Sequence, residues 1–172
     1  MGPARLPSGG APYDPGVEAH LFCPWCGGAL VTDGRAQRCS VCDRTHHRDP
    51  KVGVGVVVRD THGRLLLVQR GIQPGLGRWS LPAGYVDADE DPRAAAAREC
   101  LEEAGLVVEV GAVCGVYPST AGGASFFLAF AATVVGGALR AGDDATDARY
   151  FPDTDLPPLA FESTRAAAGL TD

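Results

Sequence analysis

Two apolar runs, Val52-Gly-Val-Gly-Val-Val-Val58 and Leu65-Leu-Leu-Val-Gln69, flank the turn-type sequence Asp60-Thr-His-Gly63. Short aliphatic runs bounded by turn residues predict buried strands, and the tight turn predicts that these two pair as a hairpin. Further β-rich stretches predict strands at about Leu106–Tyr117, Ser125–Val135 and Ala148–Phe151, with a short strand-like piece at Trp79–Pro82 after a Gly/Pro-containing loop over Gly71–Arg78. The segment Asp91–Ala104 reads differently. It opens on Asp-Pro, has an Ala-rich interior and stops at Gly105, which predicts a helix. Phe161–Ala168 predicts a second, short helix. Strands dominating around one strong helix point to an α+β or layered α/β domain rather than a regular βαβ repeat.

On that helix, at ~100° per residue, Glu99, Glu102 and Glu103 fall within an arc of roughly 100°. Ala97, Cys100, Leu101 and Ala104 fall on the other side, the expected core-facing stripe. Like charges at i, i+3 and i+4 repel by about 0.2–0.5 kcal/mol per pair. Cations lying among the carboxylates relieve that repulsion, and hard oxygen ligands suit Mg²⁺ or Mn²⁺. From the helix alone, an acidic face that simply meets water is the other reading.

Charge and the chain ends narrow the partners. The chain has 172 residues and a formal net charge of −6, and no Lys/Arg block stands out, which argues against nucleic-acid and membrane partners. An acidic surface also repels phosphates, so a protein handling them needs local metal or a few placed arginines. The longest apolar stretch, Ala124–Leu139, is interrupted by Gly136 and Gly137 and is short for a membrane span of roughly 20 residues. Residues 1–19 are rich in Gly and Pro and read as a flexible tail without a secretory signal. Leu6 stands where a myristoylation pattern needs Ser or Thr. The expectation is a soluble, cytoplasmic protein.

Cys23-Pro-Trp-Cys26 and Cys39-Ser-Val-Cys42 form two C-x-x-C knuckles within residues 20–48. In a chain without an export signal such pairs read as metal ligands before disulfides, and four thiolates suit a closed, structural Zn²⁺ site. So short a unit has little core, so the metal would largely fold it. His46 and His47 follow Cys42 too closely to be preferred ligands and read as residues near the domain junction.

Read outward from the helix, Gly84-Tyr-Val-Asp-Ala-Asp-Glu90, then seven residues, then Arg98-Glu99-Cys100-Leu101-Glu102-Glu103-Ala104-Gly105-Leu106 resembles the box of the Nudix hydrolases, with each fixed residue of the box in place. Cys100 replaces an aliphatic and Asp89 stands where many relatives have Gly. The resemblance implies an α/β/α sandwich with a mixed sheet, residues 49–172 forming the hydrolase domain behind a zinc ribbon. It implies that Glu99, Glu102 and Glu103 bind Mg²⁺ or Mn²⁺, that the Gly84 carbonyl contributes, and that Glu90 and Arg98 pair to brace the loop. Glu102 is assigned the metal-bridging or base role, with Asp144, in the acidic turn Asp143-Asp144-Ala-Thr-Asp147 before the last strand, as the alternative base or simply part of an exposed turn.

The stretches Arg48-Asp-Pro-Lys51, Arg70-Gly-Ile-Gln-Pro-Gly75, Trp79-Ser-Leu-Pro-Ala-Gly-Tyr85 and Leu159-Ala-Phe-Glu-Ser-Thr-Arg165 extend the likeness over about residues 20–168, toward a zinc-ribbon subgroup of ADP-ribose and FAD pyrophosphatases. The implied substrate is a nucleoside diphosphate linked to another moiety. Trp79 or Tyr85 could stack its base, with Trp79 equally readable as core, and Arg70 and Arg78 could hold its phosphates. NADH pyrophosphatases share the ribbon, but their Ser-Gln-Pro-Trp-Pro-Phe-Pro signature is absent. Hydrolases of oxidised nucleoside triphosphates, and a ligand-sensing module without turnover, are the remaining alternatives. Dimerisation, common among relatives, is expected by analogy.

Overall fold

The computed structural model describes residues 20–33, 36–47, 50–118 and 126–170. The tail expected over residues 1–19, and Ser125 at the head of an expected strand, lie outside the described residues. The chain divides into two compact units, with the boundary between Asp49 and Pro50.

The first unit holds β1 (Leu30–Asp33), β2 (Ala36–Cys39) and β3 (Thr45–His47) in one antiparallel sheet of order β1-β2-β3. Among its described residues the buried side chains are few: Cys23, Cys39 and Gln37. Gln37 donates Nε2–H to the His20 carbonyl at 2.8 Å, which satisfies its buried amide.

In the second unit, β4 (Val52–Val58) runs as predicted and is almost wholly buried. Its expected hairpin partner, β5 (Leu65–Arg70), belongs to a different sheet. The turn does close, with Asp60 Oδ1 accepting the His62 and Arg64 N–H groups at 2.9 Å. Beyond one bridge, Arg59 to Leu65, the strands part. The reason is that both edges of β4 are taken. It pairs antiparallel with β7 (Ala83–Tyr85) and parallel with β9 (Phe126–Gly137). β9 in turn pairs with β8 (Leu106–Pro118), giving a mixed sheet of order β7-β4-β9-β8. β5 lies between β6 (Trp79–Ser80) and β10 (Ala145–Phe151).

Alternating side chains of β4 and β5 feed two cores on opposite sides of this layer. Val54, Val56, Val58, Leu66 and Val68 pack with Ala95, Ala96, Cys100 and Ala104 of α1 (Pro92–Ala104). Leu65, Leu67 and Val57 pack on the other side with Trp79, Leu81 and Ala167 of α2 (Glu162–Ala167). The result is the α+β, helix-sheet-helix arrangement that the sequence implies. Among the described residues, no helix is long and apolar enough to cross a membrane.

α1 starts and stops for local reasons. Asp91 accepts the N–H groups of Arg93 (2.8 Å) and Ala94 (3.2 Å), filling the N-cap. Gly105 ends the helix at φ 69, a left-handed conformation that glycine adopts without steric cost, and donates to the Leu101 carbonyl. The buried face, however, is rotated from the expected one. It centres on Ala96, Cys100 and Glu103, while Leu101 is 47% exposed. Ala95 and Ala96 are fully buried in the core, and Glu103 lies among the buried residues of the same helix.

Candidate active site and candidate metal centre

β7 and α1 bring the glutamates and the loop before the helix together. Glu103 is buried, 6% exposed, and its Oε2 accepts the Ala83 N–H at 2.8 Å. Burial pushes its carboxyl up to about 7; the Ala83 bond opposes this and Glu99 adds to it. Glu99 is also raised by burial, against the pull of Arg98 and with a push from Glu102 and Asp143. A Cβ at Gly84 would overlap the Glu99 carboxylate as it stands, so glycine here lets that carboxylate lie directly against the strand. Glu102, at the rim, is more exposed.

Arg98 ties these groups to the loop. It grips Glu90 through two bonds of 2.9 Å and reaches the Tyr85 carbonyl at 3.1 Å. Its Nη1 also lies 2.8 Å from Glu99 Oε1 and 3.0 Å from Glu102 Oε2. Paired with Arg98, Glu90 is held down to about 2, helped by the Asp87 N–H. Asp89 takes φ 65, the left-handed backbone that glycine favours, and Asp is among the residues that tolerate it.

Gly84, Arg98, Glu99, Glu102 and Glu103 line a cleft of about 610 Å³. Arg70, Arg78, Tyr85, Asp143 and Asp144 line it as well. Arg70 is braced by the Pro74 carbonyl at 2.6 Å and lies over the Phe161 ring. The Lys51 ammonium sits 5.4 Å from the Tyr85 ring centre. Trp79 does not reach the cleft. It is 8% exposed and packs edge-on against Phe151 at 4.8 Å, so its ring belongs to the core and cannot stack a substrate base in this arrangement. Asp147 is likewise elsewhere: β10 begins three residues earlier than expected and takes it in, and it engages Arg149 and the Ala148 N–H. Phe127, Phe161 and Asp143 line the cleft without having been singled out. For Asp143 the signal was its place beside Asp144 after a glycine; the two phenylalanines look like any core aromatic in sequence.

The cysteines form the second centre. Cys23, Cys26, Cys39 and Cys42 place their sulfurs within 4.8 Å of one another, a convergence that no other His, Cys, Asp or Glu group shows among the described residues. Cys23 and Cys42 sulfurs are 3.8 Å apart, and those of Cys26 and Cys39 are 3.4 Å apart. Zinc–sulfur bonds of about 2.3 Å in a tetrahedron require about 3.8 Å between sulfurs, so the donor set fits that ion. The Cys42 and Val41 N–H groups hold the Cys39 thiol down to about 6, which favours its ligating form. His46 is not remote from this group: its Nε2 lies 3.2 Å from Cys23 Sγ. The glutamates converge less tightly, because Arg98 stands between Glu99 and Glu102 and Glu103 turns onto Ala83. They nonetheless suit hard cations: oxygen donors lining one cleft, two of them with carboxyls raised by burial.

Comparison with known proteins adds to this geometry. A profile of the NUDIX domain matches residues 49–169. An ADP-ribose pyrophosphatase of Methanocaldococcus jannaschii is 38% identical over 117 residues, covering 66% of this chain and 68% of that protein. An NAD-capped RNA hydrolase NudC of Pseudomonas putida is 31% identical over 150 residues, 83% of this chain; the chain spans about half (52%) of that relative's length. Among solved structures, a NUDIX hydrolase from Nitrosomonas europaea superposes with a TM-score of 0.76 at 30% identity, covering 86% of this chain and 88% of that one.

Proposed function

The chain belongs to the NUDIX domain family, and from that premise we propose that it hydrolyses the phosphoanhydride bond of a nucleoside diphosphate linked to a second moiety, ADP-ribose or FAD first, into two monophosphates. The observation that carries this reading is one cleft of dinucleotide size whose lining joins Gly84, Glu99, Glu102 and Glu103 with Arg70 and Arg78.

Mg²⁺ or Mn²⁺ held by the three glutamates and the Gly84 carbonyl would screen the diphosphate charge and make water a better nucleophile. Arg70 and Arg78, which form no ion pair with a carboxylate among the described residues, bind the phosphate oxygens. Arg98 and Glu90 fix the loop and orient Glu99 and Glu102. Glu102 accepts the proton of the attacking water, its rim position leaving it open to solvent; Asp144, which lines the same cleft, is the second group placed to do so. Tyr85, with its exposed ring, takes the stacking role for which the sequence had also offered Trp79.

Cys23, Cys26, Cys39 and Cys42 hold a structural Zn²⁺. Free thiol ligands are favoured in a reducing compartment, which supports a cytoplasmic setting.

The test is a panel of ADP-ribose, FAD, NADH, nucleotide sugars and nucleoside triphosphates with Mg²⁺ or Mn²⁺, following phosphate-bearing products. NADH belongs in it because the likeness to the NAD-capped RNA hydrolase covers so much of this chain. ADP-ribose or FAD is expected to give the highest kcat/KM. Triphosphates cleaved best would overturn the substrate class, and no cleavage of any member would overturn the hydrolase reading.

A further inference from the structure

The two knuckles of the cysteine unit hold their leading sulfurs differently. In the second, Cys39 Sγ accepts the backbone N–H groups of Val41 and Cys42, both at 3.4 Å. Cys23 occupies the same leading position in the first knuckle. Its sulfur lies 3.2 Å from His46 Nε2 and 3.8 Å from Cys42 Sγ. An imidazole thus stands at Cys23 where two amides stand at Cys39.

His46 is delivered by strand pairing rather than by the knuckle. It lies on β3 opposite Gln37 of β2, whose buried amide is anchored to the His20 carbonyl. Its neighbour His47 points to the other face of the strand and is exposed.

We propose that His46 is a positioning residue of the zinc centre, donating its Nε2–H to the Cys23 thiolate and so fixing that ligand in place of the missing knuckle amides. This rests on the four-cysteine metal reading above. A metal-bound thiolate can only accept, so the ring nitrogen facing it carries the proton. Four thiolates around one Zn²⁺ leave an excess of negative charge, and a hydrogen bond to one sulfur disperses part of it and restricts the sulfur's direction. His46 thereby sets how tightly the unit holds its ion.

The experiment uses the full chain and two readouts: competition for Zn²⁺ against a chromophoric chelator, and the sulfur-to-metal absorption band after Co²⁺ substitution. His46→Leu is expected to weaken zinc binding by about 10-fold or more, the scale for losing a partner of a metal ligand. Its Co²⁺ band should move to longer wavelength, because a sulfur without a donor gives up electron density more readily. His46→Gln, which keeps an N–H donor, should recover most of both properties, and His47→Leu should change neither. Wild-type affinity and band in His46→Leu would overturn the inference. So would equal weakening in the Leu and Gln variants with an unshifted band, the mark of packing alone. A wild-type chain that takes up no metal would overturn the four-cysteine reading itself, a separate failure.

Discussion

Four thiols in the first unit bring their sulfurs within 4.8 Å of one another, whereas the three glutamates of α1 stay apart, with Arg98 between two of them and Glu103 turned onto a backbone amide. Both groups crowd anionic ligands, yet they are stabilised differently. Among its described residues the cysteine unit has almost no other core, so it is expected to depend on whatever its sulfurs bind. The glutamates are backed by a full apolar core and paired with Arg98, so their unit is expected to fold without a bound ion. On the proposed reading, a compact, closed set of soft donors serves structure, and a set of hard donors open to a cleft that arginines also line serves chemistry.

The largest expected effect breaks the comparison at its structural end. Stripping zinc with a strong chelator should unfold residues 20–47, a loss on the order of 10 kcal/mol of binding-coupled folding energy, while residues 50–170 keep their structure. Amide dispersion in NMR spectra reads both units at once. Two units that melt together, or neither, would contradict the asymmetry.

A smaller effect sharpens the other side. Folding raises the Glu103 carboxyl from 4.5 to about 7, chiefly by burial. A raised carboxyl contributes stability below its unfolded value of about 4.5, and that contribution is lost as pH rises through 7. The chain without divalent ions should therefore weaken over that window. Glu103→Gln keeps an oxygen for the Ala83 N–H and removes the buried charge. It should be more stable than wild type at pH 8 by on the order of 2 kcal/mol, with the advantage gone near pH 4. Thermal melts across pH, without Mg²⁺, check this; an advantage independent of pH would sink it.

Local pattern carried much of this molecule. Val52–Val58 and the Asp91-Pro92 to Gly105 helix appear where apolar runs and capping residues place them. The cysteine spacing also anticipated the sulfur cluster. What escaped was long-range. A turn such as Asp60–Gly63 reports that the chain reverses, but not that β7 and β9 already occupy both edges of β4. Helical periodicity reports which residues share a face, but not that Glu103 would lie buried with Ala95 and Ala96 while Leu101 stays outside. A lone aromatic such as Trp79 has the same sequence signature in a core as in a binding slot. His46 looked redundant beside four cysteines, because spacing along the chain says nothing of the strand register that brings its ring to Cys23.

The central claim is that the α1 glutamates hold the divalent ions that drive hydrolysis. Manganese binding counted by electron paramagnetic resonance on the zinc-loaded chain, alongside turnover of its best substrate, tests it most directly. Glu102→Gln should lose manganese affinity and at least ~100-fold in turnover while its melting profile stays near wild type. Undiminished manganese binding and near-normal turnover in that variant would contradict the account.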